Sequence, residues 1–343
     1  MKKTIFLLML LSATSFTFAQ KFSQAIDYMT FVGNENKNIS KQMLRYAQAV
    51  AHSKRGGAIN SRRKKLITTV TKAISKIEKA EGYNGDTYKN QILSYMRLNE
   101  SLLKEDYAKV IDMKKVAEQS YDLMEAYIMM QELTKKKQDE AFNSFKENEK
   151  VFAKENNINL VDSESSELGK KIEITNAVFK HNSTANLAFF KANFQETTLV
   201  QGFASNNVSA IQQNANALST YAKEGLEKLK TIDLYKNDAS IIKSIEKIFN
   251  FYIDEAENKT PQLIEFMVLN ESFDKIKTAL DKTPERKRTK EQINAYNKKI
   301  NEINKKVNIY NKTNNTLNNN RTKYINGYNN AISNFFERHI PKN

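Results

Sequence analysis

Residues 284–335 read PERKRTKEQINAYNKKINEINKKVNIYNKTNNTLNNNRTKYINGYNNAISNF, and this stretch decides the fold class. Its apolar residues Ile293, Tyr296, Ile300, Ile303, Val307, Tyr310, Leu317, Tyr324, Tyr328, Ala331 and Phe335 recur at alternating three and four residue intervals. That is a heptad seam, which the two-residue period of a strand cannot generate. Asn314 and Arg321 stand where the seam calls for apolar residues, so partial exposure or a register-fixing role is expected there. Thr283 before Pro284 predicts the helix start, since a Thr hydroxyl accepts from a free N–H and Pro at the first position has none to leave unpaired. The Asn-dense run 314–320 predicts a weak, bendable middle.

Working outward, a second long helix is expected over 105–155. Tyr107, Val110, Ala117, Tyr121, Met124 and Ile128 would share one face, and Phe142, Phe145 and Phe152 would continue the burial. Shorter amphipathic stretches run over 22–54, 59–79, 86–103, 172–203, 208–229 and 238–258. With 9 Gly and 3 Pro in 343 residues, the turns of an all-β sandwich are scarce. The expected class is all-α.

An internal repeat is expected to organise these helices. At an offset of 152 residues Leu66, Val70, Ile74, Ile77, Tyr83 and Asp86 fall on Leu218, Ala222, Leu226, Leu229, Tyr235 and Asp238. After a one-residue slip Tyr88, Ile92, Tyr95, Met96, Val110, Ile111 and Met113 fall on Ile241, Ile245, Ile248, Phe249, Leu263, Ile264 and Phe266. Tyr83-Asn84-Gly85-Asp86 and Tyr235-Lys236-Asn237-Asp238 would each close one helix and open the next with an Asp cap. Residues 156–171, with their acidic serine-rich run, read as a connector. The expected layout is therefore a leader at 1–19, an antiparallel bundle at 20–155, and a second bundle at 172–343 in tandem.

Residues 1–19 carry Lys2 and Lys3, an apolar run from Ile5 to Leu11 and small residues up to Ala19, the pattern of a cleaved secretory signal. A membrane anchor needs roughly 20 apolar residues, and this run is shorter. Removal of Lys2 and Lys3 takes the formal charge from +15 to +13. An exported chain, periplasmic or on the outer surface, is expected, and export makes nucleic acid an improbable partner for its positive charge. A helical pore-former is disfavoured by the same length argument.

The sequence has no Cys, which excludes disulfides, thiolate metal sites, a cysteine nucleophile and a lipidated cysteine. His52, His181 and His339 share no helical i, i+3 or i, i+4 spacing, so no local metal face and no poised general base is expected. No phosphate loop, nucleophile elbow, zinc helix or dinucleotide glycine pattern occurs. Asp162, Glu164 and Glu167 lack the glycine turn and terminal bidentate Glu of a calcium loop and read as solvated linker. Glu78 with Glu81, and Glu224 with Glu227, sit beside lysines as ordinary surface pairs. Seam tyrosines, with no Trp beside them, read as core fillers rather than a sugar platform. No cofactor is expected.

The strongest functional candidate is SKRGGAINSRRKK, residues 53–65. Lys54, Arg55, Arg62, Arg63, Lys64 and Lys65 flank the Gly56-Gly57 break, and a helix N-terminus near Ile59 adds amide donors. Such a corner can hold anions, and in an exported chain the targets are anionic lipid head groups, polysaccharide or peptidoglycan.

The expected mature start, AIDYMTFVGNENKNISKQML over 25–44, with Tyr28, Asn36 and Ser40 before Met43 and Leu44, resembles the leptospiral-type surface protein family. The resemblance implies an all-helical protein of the envelope of a Gram-negative bacterium and carries no activity or residue role across. The combined expectation is a non-catalytic protein that binds or scaffolds at the envelope, through anionic lipid, polysaccharide or another envelope protein. The alternative is an enzyme whose site is assembled between the two bundles from distant Glu, Tyr, Lys and His residues.

Overall fold

The computed structural model describes residues 20–53, 55–106, 121–160 and 166–342. The expected leader, Lys54, Tyr107, Val110, Ile111, Met113, Ala117, Asp162 and Glu164 lie outside them, as do the side chains of Tyr121, Met124 and Ile128. The described residues form helices and short turns, with no strand among them. In chain order the helices are α1 (Ala25–His52), α2 (Gly56–Lys79), α3 (Thr87–Ser101), α4 (Tyr121–Glu155), α5 (Glu167–Ala204), α6 (Val208–Lys230), α7 (Ser240–Asp254), α8 (Thr260–Lys282) and α9 (Lys290–His339). A single widened π turn follows α3 at Leu102–Asp106, and another joins α7 to α8 at Glu255–Lys259.

Contacts gather the described chain into two units. One holds residues 20–43, 63–106 and 131–160, and the other holds 44–53, 55–62, 121–130 and 166–342. The single cut expected at 156–171 does not reproduce this division. Residues near the α1–α2 corner group with the C-terminal residues because Gln48 Nε2 donates to the Pro341 carbonyl at 2.8 Å and His52 bonds Glu337.

In the first unit Tyr28, Tyr88 and Phe152 pack ring against ring, with Tyr88 and Phe152 stacked at 4.2 Å between centroids. Leu66, Val70, Ile77, Ile92 and Met96 are buried around them at the helical spacing the sequence displays. Phe145 and Phe152 are buried as expected, whereas Phe142 is 46% exposed and does not extend the core. Lys146 lies over its ring instead, 5.9 Å from the centroid.

The second unit centres on α7, whose Ile241, Ile245, Ile248, Phe249 and Tyr252 are buried against α5, α6 and α9. Each such side chain contributes about 1.5–3 kcal/mol on leaving water. Phe249 fits because residue 225 is glycine: a Cβ there would lie 2.5 Å from the ring.

Helix α9 is the quoted seam, 50 residues without interruption through the Asn-rich middle. Its start departs from expectation. Pro284 is extended and Glu285–Lys287 forms a 3-10 turn, so the helix opens at Lys290 under a capping box in which the Thr289 hydroxyl accepts from Gln292 N and the Gln292 side chain accepts from Thr289 N. Two reciprocally satisfied donors outweigh the Thr-Pro signal six residues earlier. Helix α8 matches none of the expected amphipathic stretches, because LIEFMVL over 263–269 places apolar residues nearly all round.

Candidate functional site

Residues Arg45, Gln48, Ala49 and His52 recur at i, i+3, i+4 and i+7 and therefore share one face at the end of α1. With Ser53, Arg62 of α2, Glu337 of α9 and Lys342 they line an open cavity of about 700 Å³. Its polar geometry is specific. His52 Nδ1 lies 3.0 Å from Glu337 Oε1, and Lys342 pairs with the other oxygen of the same carboxylate. The Lys342 hydrogen bond, with His52 adding to it, holds the Glu337 carboxyl below its ordinary value. One acid is thus shared by two partners, while Arg45 and Arg62 form no ion pair with any described residue. His52 Nε2 is buried without a hydrogen-bond partner.

The six cations of the expected basic corner are distributed by this geometry. Arg62 faces the cavity; Arg55, Lys64 and Lys65 are exposed; Lys54 is outside the described residues. Arg63 is half-buried and its Nη2 donates to the Leu103 carbonyl at 3.0 Å, so it satisfies the π turn after α3 rather than a ligand. The glycines do not break the chain, for α1 ends at His52 and α2 already begins at Gly56. The amide donors accordingly open at Gly56, not near Ile59. Arg45, Gln48 and Lys342 were missed by the sequence reading. The α1 spacing could have supplied the first two, whereas nothing local marks Lys342.

Two further polar clusters occupy the second unit. In one, Asp238 Oδ2 receives His339 Nε2 at 2.8 Å and Arg338 through Nε at 3.0 Å and Nη2 at 2.7 Å. Burial alone would raise its carboxyl, but the Ser240 amide and the His339, Ser240 and Arg338 bonds hold it well below the usual range. This cluster clasps the end of α9 to the turn before α7. His181 is buried beside Phe335, 5.2 Å between ring centroids, and burial pushes its imidazole below the ordinary value.

In the other cluster, Arg321 Nε donates to Glu196 Oε1 at 2.5 Å and its Nη2 donates to Glu255 Oε1. Glu255 is fully buried in the π turn, its Oε2 without a partner. Burial pushes its carboxyl up to about 7, only partly opposed by Arg321, and Glu196 is raised by burial as well. Arg321, which interrupts the seam, therefore joins α5, α9 and the α7–α8 turn. Among the described residues no group of three or more acidic, His or Cys side chains is placed to hold a metal ion.

Compared with family models, with curated proteins and with solved structures, the chain gives no match.

Proposed function

We propose that this is an exported, non-catalytic helical protein that binds an anionic group of the bacterial envelope in the α1–α9 cavity. The observation that carries this reading is the convergence of Arg45, Arg62, Lys342 and His52 on one cavity in which Glu337 is already shared by two partners. A guanidinium pair beside an imidazole suits a phosphate or a carboxylate, the chemistry of a lipid head group and of an acidic sugar. The signal-like residues 1–19 and the leptospiral-type resemblance support the location. No described helix is long and apolar enough to cross a membrane.

The same reading takes the chain as an internal duplication. Helices α3 and α7 are each 15 residues long, each is followed by a five-residue π turn, and both begin 153 residues apart. The preceding turns place positive φ at Asn84 and Gly85 and at Lys236 and Asn237, positions 152 apart. Two tandem envelope-binding bundles are the corresponding architecture.

The test substitutes Arg45 and Arg62 with Gln in the mature chain and measures retention on acidic oligosaccharide and on phosphatidylglycerol vesicles at low and near-physiological salt. The expected loss is about tenfold on one of the two supports at low salt, since two charge-assisted contacts are removed. Which support shows the loss separates sugar from lipid. Equal retention of both proteins on both supports would overturn the assignment of the cavity.

A further inference from the structure

Between residues 264 and 316 only Leu280 is buried. Over this span α8 and the first half of α9 form a two-helix arm, with Phe266 against Tyr310 at 4.5 Å and Phe273 against Tyr296 at 5.4 Å between ring centroids. Two helices can cover only one stripe of each other, so the arm gains less from burial than the bundle below it. The arm orders some fifty residues with little burial to offset the entropy cost.

Its flanks carry ion pairs: Lys275 with Glu271 at 2.7 Å, Lys306 with Glu265 at 2.7 Å, and Lys299 with Glu302 at 2.9 Å. The tip differs. Residues 282–290, KTPERKRTK, contain Lys282, Arg286, Lys287, Arg288 and Lys290 against Glu285 alone. None of these five cations pairs with a described carboxylate. Lys282, Arg286, Lys287 and Lys290 are exposed. Arg288 is half-buried, its Nε donating to the Thr283 carbonyl at 3.0 Å, which closes the turn. Extended Pro284, the 3-10 turn at Glu285–Lys287 and the Thr289 capping box fix the backbone, so the charges stand on a rigid, narrow end. From Glu265 to Lys282 the helix rises roughly 25 Å.

We propose that the α8–α9 tip is a contact for an anionic phospholipid surface. A convex end with free ammonium and guanidinium groups fits a flat field of phosphates better than a discrete ligand, which needs a concave pocket. Residues 282–290 hold no aromatic ring on which a sugar could stack and no large aliphatic side chain to enter the acyl region. Attachment is therefore peripheral, reversible and screened by salt. The tip shares no residue with the α1–α9 cavity, so this contact stands or falls apart from the function proposed above.

The experiment compares the full mature chain, its Arg286→Gln, Lys287→Gln, Lys290→Gln triple variant, a Lys287→Arg, Lys290→Arg variant and the cavity variant R45Q/R62Q. Partition onto phosphatidylglycerol-containing vesicles and onto phosphatidylcholine vesicles is measured at about 50 and about 300 mM salt. Removing three surface charges is expected to lower partition at low salt at least tenfold on the anionic vesicles, with the original protein losing its advantage at high salt. The arginine variant should partition like the original protein, and adding the triple substitution to R45Q/R62Q should lower its partition by the same factor as in the original protein, whatever share of binding the cavity supplies; circular dichroism should show unchanged helix content throughout. Equal partition of the triple variant and the original protein would overturn the proposal, as would a tip dependence of the same size on the phosphatidylcholine vesicles.

Discussion

The helix pair α2–α3 with its π turn and the pair α6–α7 with its π turn solve one packing problem with different side chains. Leu66, Ile77 and Ile92 are buried at the places where Leu218, Leu229 and Ile245 are buried. The differences lie at three matched points. Leu102 opens the first π turn, and fully buried Glu255 opens the second. Ala73 and Met96 stand where the second pair has Gly225 and Phe249, a smaller residue accompanying a larger one. Asp86 makes no capping bond, whereas Asp238 is engaged by the Arg338 and His339 side chains and by the Ser240 amide. The backbone thus tolerates an apolar or an ionic π turn, provided that the ionic one finds a counter-charge.

That condition yields the largest expected effect. Arg321→Met leaves Glu196 and Glu255 buried together without a cation, and loss of about 3–5 kcal/mol is expected from the urea midpoint of the second unit. Glu255→Leu installs the residue found at Leu102 and leaves a one-to-one Arg321–Glu196 pair. It should cost under about 1.5 kcal/mol at neutral pH, because a buried charge and its orphan oxygen are removed together. A large loss in Glu255→Leu would mean that the ionic cluster is required for packing and that the two turns are not interchangeable.

The next effect is its pH dependence. The Glu255 carboxyl is raised from the ordinary 4.5 to about 7 in the fold, so the folded state holds a proton that the unfolded state has released. Stability from this group is fully present below about pH 4.5 and is lost as pH rises through 7, by up to about 3 kcal/mol. Asp238, depressed, acts in the opposite sense, its contribution present at neutral pH and lost in acid. Unfolding midpoints between pH 5.5 and 8.5 should fall more with rising pH in the original protein than in Glu255→Leu, whose remaining dependence belongs to raised Glu196 and lowered His181. Equal profiles in the two proteins would place the proton elsewhere.

These features differ in how far the sequence exposes them. The α9 seam was legible because nearly every turn returns an apolar residue to one line, and Arg321 was legible as its interruption. Its partners were not, for Glu196 and Glu255 lie 125 and 66 residues away and look like any helical glutamate. The matched turns could be read from Tyr and Asp, yet the Asp caps could not, since capping depends on side-chain geometry that Asp86 does not adopt. In the candidate site, Arg62 was found by charge density. Arg63 was grouped with it although its guanidinium serves the Leu103 carbonyl, a contact only tertiary structure creates. Lys342 reaches Glu337 from beyond the helix end, where periodicity carries no information.

The volume exchange gives the third test. In Gly225→Ala the new methyl would lie 2.5 Å from the Phe249 ring, which must shift within a filled core, at a cost of about 1–3 kcal/mol. Adding Phe249→Met reproduces the Ala73–Met96 combination of the first pair and should recover at least half of that loss. Thermal unfolding of the two variants measures the difference. Failure of the double variant to improve on the single one would show that neighbours beyond this pair set the available volume.

The smallest effect concerns the two aspartates. Asp86 is largely exposed, its nearest ion-pair partner is Lys89 at 3.8 Å, and its carboxylate bonds no amide of α3. Asp86→Ala should therefore change stability by less than about 0.5 kcal/mol, the range of a surface pair. Asp238 accepts from the Ser240 amide at 2.9 Å and anchors Arg338 and His339, so Asp238→Ala removes a cap-like bond and the clasp on the end of α9 together. A loss of about 1–3 kcal/mol follows, from one amide bond and the charge-assisted bonds less their solvent-screened share. Amide hydrogen exchange locates the effect: the last turn of α9 should lose protection in Asp238→Ala, and α3 should keep it in Asp86→Ala. Equal losses in the two variants would mean that both aspartates act through the turn backbone they share, with its paired positive φ angles, and that the clasp adds nothing.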